Sequence, residues 1–96
     1  MMQLLPVTIT EKAMLEISNI IETKGIPSDY GLRIGVRGGG CSGVSHYLGF
    51  DQQSPKDDHF IYKQVNIYIE KKDLMHLIGI TVDFVDNEES RGFIFE

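Results

Sequence analysis

Four glycines and the chain's single cysteine fall within Arg37-Gly38-Gly39-Gly40-Cys41-Ser42-Gly43, and this run more than any other limits the folds open to the chain. Glycine carries no side-chain bulk, admits φ > 0 and leaves backbone N–H groups pointing at whatever approaches. The chain turns here, and the apolar alternation before and after makes it a turn between strands. Cys41 sits in that turn with Gly40 before it and Ser42-Gly43 after it. A structural cysteine behaves as a small buried hydrophobe and needs apolar neighbours; these flanks favour a thiol presented for chemistry over that alternative.

Leading into the turn, Leu32, Ile34 and Val36 alternate with Arg33, Gly35 and Arg37, the period of a half-buried strand whose arginines keep the outer face wet. Residues 45–50 continue or partner that strand. Upstream, Thr10 is an N-cap and Glu11 suits the positive first turn of a helix. Met14, Ile17, Ile20 and Ile21 share one face of it, and Lys24-Gly25 ends it. Downstream, the polar residues 51–58 read as an exposed loop, and 60–63 and 65–70 as strands. Residues 71–78 form a short helix stopped by Gly79; Ile80, Val82 and Phe84 alternate again; a turn over 87–92 leads to a last strand, Phe93-Ile94-Phe95. The sum is a strand-rich α+β fold with two helices.

At 96 residues there is room for one small domain, spanning 1–96, with no second catalytic unit. A hydrophobic fraction of 42% and a charged fraction of 24% are those of an ordinary globular protein. The net charge of -5, with no basic run longer than Lys71-Lys72, argues against nucleic acid and anionic membranes as partners. Met1-Met2-Gln3-Leu4-Leu5-Pro6 has neither the positive segment nor the apolar stretch of a signal peptide, which implies a cytoplasmic protein. One cysteine cannot close an internal disulfide, and in a reducing compartment it stays a thiol.

The stretch Leu32-Arg33-Ile34-Gly35-Val36-Arg37-Gly38-Gly39-Gly40-Cys41-Ser42-Gly43, followed by Leu48-Gly49-Phe50-Asp51, resembles the A-type iron-sulfur carrier family, the HesB-like proteins. Val65-x-Ile67-x-Ile69, Leu74, Leu77-x-Gly79, Val82-Asp83-Phe84-Val85-Asp86 and Gly92-Phe93-x-Phe95 follow in the order of that family's second half. The resemblance covers nearly the whole chain. It implies a HesB-like domain in which twisted mixed β-sheets form a sandwich or pseudo-barrel, usually in a homo-oligomer, a dimer or a tetramer. The implied activity is not catalysis. Such proteins bind iron or an iron-sulfur cluster, here a 2Fe-2S in preference to a 4Fe-4S cluster, and deal with Fe-S apoproteins or the assembly machinery. The family motif uses three cysteines, one in the glycine loop and two in a C-terminal Cys-Gly-Cys segment; only the first, Cys41, is among these 96 residues. Gly38, Gly39, Gly40, Ser42 and Gly43 would shape the loop around it.

Clusters are commonly held by four thiolates, so one per chain points to a site shared by paired protomers, with other ligands or exchangeable groups completing it. His46, five residues beyond Cys41, stands where the family commonly has tyrosine, and its imidazole is a candidate second metal ligand. The simpler reading, and the favoured one, is a strand residue hydrogen-bonded on a surface, with Tyr47 in the aromatic place. His59 and His76 lack metal-ligand spacing and read as solvated or capping residues. Asp51, Asp83 and Asp86 read as sheet-edge or turn residues, and Glu88-Glu89 as a solvated turn.

Two other functions compete with the carrier. The chain would act as a protein-interaction or regulatory domain that binds no cluster, or Cys41 would be a nucleophile with His46 as its base. The second lacks an orienting carboxylate or amide placed by sequence. A phosphate loop is discounted, because the Gly-Lys-Ser/Thr ending and the following helix are both missing.

Overall fold

Thr10 opens the first helix as its sequence context suggests. In the computed structural model, which describes residues 4–38 and 43–96, its Oγ1 accepts the Ala13 N–H at 3.1 Å at the head of α1, Glu11–Lys24. Gly25, at φ 61°, closes the helix in the left-handed conformation, its N–H donating to the Ile21 carbonyl. Ala13, Met14 and Ile17 are buried, while Ile20 and Ile21 lie half-buried on the flank of the same face. A two-residue strand that the periodicity did not reveal, β1 (Thr8–Ile9), precedes the helix.

The remaining elements are β2 (Tyr30–Gly38), β3 (Val44–Gln52), β4 (Asp57–Tyr62), β5 (Val65–Glu70), a 3-10 turn (Lys71–Asp73) running into α2 (Leu74–Leu77), β6 (Thr81–Asp86) and β7 (Arg91–Phe95). They make two mixed sheets, β1-β6-β7 and β3-β2-β5-β4. β1 runs parallel to β6, and β2 parallel to β5; the other neighbours are antiparallel hairpins. The strand-rich mixed-sheet α+β fold expected from the sequence is the one found.

Both sheets and α1 contribute to one core. Leu32, Ile34, Ile67 and Ile69 from the larger sheet, Val82 from the smaller, and Ile17 and Leu77 from the helices are fully buried within it. The alternation seen in sequence has its ordinary cause: every second residue of β2, β5 and β6 points inward. The polar run 51–58 is a shorter loop than expected. β3 continues to Gln52 and β4 starts at Asp57, whose side chain is 0% exposed.

The Thr10 cap also ties the sheets to the helix. Its Oγ1 donates to Asp83 Oδ1 at 2.7 Å, and that oxygen accepts the Phe84 N–H at 2.8 Å as well. The Thr10 bond, with the Phe84 N–H behind it, holds the Asp83 carboxyl below the ordinary aspartate range. Thr10→Ala removes the cap and this link together. It is expected to cost about 1–2 kcal/mol, read as a lower urea midpoint with an unchanged denaturant slope.

Candidate cluster site

β2 and β3 pair residue for residue from Tyr30↔Gln52 to Gly38↔Val44. The glycine-cysteine run is the connection between them. Gly39, Gly40, Cys41 and Ser42 lie outside the described residues, so the expectations placed on them rest on sequence. The two described glycines bracket the run. Gly43 has φ 86°, a backbone conformation that L side chains rarely adopt, with open space around it; Gly38 is exposed at the end of β2.

The register separates His46 from Tyr47. His46 opposes Val36, in the same row as Ile34↔Leu48 and Leu32↔Phe50, which face the core; Tyr47 opposes Gly35 on the other face. His46 is half-buried and stacks on Phe95 of β7, ring centroids 5.3 Å apart with planes 22° from parallel. Its Nε2 lies 3.4 Å from the His76 carbonyl oxygen. A carbonyl only accepts, so this contact calls for the tautomer with the hydrogen on Nε2, in which Nδ1 carries the lone pair. His46 is thus the hydrogen-bonded strand residue that one of the two sequence readings describes.

Tyr47 occupies the opposite face. Its side chain lies so close over Gly35 that a Cβ there would meet the hydroxyl oxygen at 2.8 Å and ring carbons at 2.9 Å, and the Arg37 guanidinium sits 4.4 Å from the ring centroid. Glycine at 35 is therefore a packing requirement of Tyr47.

Arg33 corrects the sequence reading. Instead of wetting the outer face it is 9% exposed and grips Asp57 with two bonds, Nη1–Oδ1 and Nη2–Oδ2, both 2.7 Å. Nε reaches Asp51 Oδ2 at 3.2 Å, and Nη2 also donates to the Gln52 carbonyl at 3.0 Å. Asp57 completes its set with the Ser54 N–H at 2.7 Å. The Asp57 bonds push the guanidinium upward in spite of its burial; the Arg33 bond holds the Asp57 carboxyl below its usual range against the same effect. No buried side-chain polar atom among the described residues is left without a partner.

His59 is exposed, with Nε2 2.8 Å from Asn66 Oδ1, and His76 is exposed on α2, as their spacing suggested. No three His, Cys, Asp or Glu side chains among the described residues converge as a metal cage. Nor is any described helix long and apolar enough to cross a membrane. The sequence reading missed Asp73, a buried carboxylate bonded to the Val36 N–H at 3.3 Å. A charged residue among Lys71-Lys72-Asp73 gave no signal that one of the three turns inward.

A family profile described as iron-sulphur cluster biosynthesis matches residues 5–96. The chain belongs to that family. Among its relatives, the iron-binding protein IscA of Enterobacter sp. is 38% identical over 90 residues, 93% of this chain and 82% of that protein. The crystal structure of Escherichia coli SufA, involved in biosynthesis of iron-sulfur clusters, superimposes with a TM-score of 0.78 at 24% identity, over 94% of this chain and 78% of that one. IscA with a [2Fe-2S] cluster gives the same TM-score at 22% identity, over 94% and 83% of the two chains. At those identities the structural likeness is one of fold. The family match supplies the biochemical context, and Cys41 is the only thiol this family member offers within its 96 residues.

Proposed function

We propose that this protein is an iron-sulfur cluster carrier that holds iron or a 2Fe-2S cluster transiently through Cys41 of two paired copies and passes it to apoproteins or assembly proteins. The observation that carries this reading is the family match across residues 5–96, with the one thiol in the connection between β2 and β3. On this reading residues 1–96 are one domain working as a carrier and not as an enzyme, in the cytoplasm, where reducing conditions keep Cys41 a thiol. Thiolate is the soft ligand that clusters require, and imidazole can replace it on one iron. Two copies supply two thiolates. His46, through Nδ1, is the candidate further donor, and groups from a small thiol or a client would complete the set. An incomplete protein ligand set suits a cargo that has to leave.

A second reading is favoured by the thiol count alone: a member of the family that binds partners and no cluster. Iron, acid-labile sulfide and the visible spectrum after anaerobic reconstitution, with the mass of the loaded species by sedimentation, separate the two. A carrier gives a coloured dimer with about one cluster to a pair of chains. Colourless, iron-free protein, under conditions that load a three-cysteine relative, would leave the interaction domain. A loaded monomer would remove the pairing of Cys41 loops.

A further inference from the structure

Asp73 stands where an N-cap of α2 would be, yet it makes no capping bond to that helix. Aspartate at a helix start ordinarily spends its carboxylate on the first free N–H groups. Here the side chain, 5% exposed, turns the other way: Oδ2 accepts the Val36 N–H at 3.3 Å and Oδ1 takes the Lys72 ammonium at 3.0 Å. The β2–β5 register is Leu32↔Ile67 and Arg33↔Tyr68; carried on in step it sets Glu70, the last residue of β5, opposite Gly35, so Val36 is the first residue of β2 past the end of that neighbour. Beyond it the chain of β5 leaves the sheet through the 3-10 turn. The carboxylate thus takes over from a strand two residues before Gly38, where the connection containing Cys41 begins.

A second bond reinforces the first. The His46 imidazole reaches the carbonyl of His76, on the same α2 segment, and His46 is the residue paired with Val36 across the hairpin. One short segment therefore holds β2 through Asp73 and β3 through His46, at a single rung of the ladder. Lys72 offsets the buried charge from the solvent side, and the Asp73 bond raises the Lys72 pKa above the ordinary lysine range.

We propose that Asp73 is a positioning residue for the cysteine hairpin, its carboxylate fixing the end of β2 from which the Cys41 connection departs. This rests on Cys41 being the reactive group. Its effect on the thiol is nevertheless readable without any cluster. The test is the rate of Cys41 alkylation by iodoacetamide in native apo-protein, beside hydrogen exchange at the Val36 amide, for wild type, Asp73→Ala, Asp73→Asn and Thr10→Ala. Asp73→Ala is expected to speed both by roughly fivefold, the population change that follows loss of one hydrogen bond. Asparagine keeps an acceptor oxygen and is expected to restore both rates to near wild type. Thr10→Ala, destabilised in another part of the fold, is expected to leave the thiol rate unchanged.

Alkylation in Asp73→Ala no faster than in Thr10→Ala would overturn the proposal, and so would an asparagine variant that behaves like alanine. Should Asp73→Ala fail to fold, Asp73→Glu takes its place, since one more methylene displaces the acceptor without removing charge. Iron loading of the same proteins is a separate reading. If wild type takes up no iron while the alkylation pattern holds, the carrier function fails and the positioning role stands.

Discussion

Cys41→Ser will leave anaerobic reconstitution colourless, with iron and acid-labile sulfide below about a tenth of the wild-type content. Serine keeps the size and nearly the shape of cysteine but exchanges a soft, readily ionised sulfur for a hard hydroxyl that stays protonated near neutral pH. With one thiol in 96 residues, no other side chain of the chain supplies thiolate in its place. Equal urea midpoints for the two proteins would assign the loss to the ligand and not to the fold. Full colour in the serine protein would sink Cys41 as the cargo ligand and move attention to His46.

The second large effect concerns stability. Arg33→Ala strands the Asp57 carboxylate, 0% exposed, without its two charge-assisted bonds. Removing one partner of a buried pair costs about 3–5 kcal/mol, a large share of the about 5–15 kcal/mol that holds a small domain together. The melting temperature is expected to fall by roughly 15–30 °C. Because the penalty arises from the unpaired charge, replacing both residues, Arg33→Met with Asp57→Leu, is expected to recover part of it. A double variant no better than Arg33→Ala would show that the pair's geometry, not its uncompensated charge, matters.

The same pair sets an acid limit. The folded state holds the Asp57 pKa below the ordinary value of 3.8. Its contribution is therefore complete above that value and is lost as pH falls through the depressed folded pKa. Urea midpoints of wild type should drop steeply below about pH 4. Asp57→Asn, less stable at neutral pH, should show a shallower drop over the same interval; parallel curves would exclude Asp57 as the titrating group.

Local features were legible because their causes are local. The Thr10 cap, the Gly25 stop, the inward rows of β2, β5 and β6, and the hairpin around the glycine run are each fixed by residues a few positions apart. Other local features gave no sign. The β4–β5 turn places Lys63 and Gln64 at φ 48° and 69°, where sequence preference would put Asn and Gly. The short strand β1 has meaning only through its parallel neighbour β6.

By itself, then, the sequence determined the class of fold and the family, and it singled out Cys41 as the residue to test. Tertiary structure alone decided the fate of the polar side chains. Arg33 finds Asp57 across 24 positions, Asp73 finds Val36 across 37, and Thr10 finds Asp83 across 73. Whether an arginine or aspartate faces water or a buried partner depends on which strands the core brings side by side. Periodicity can say which way such a residue points, but not what waits there.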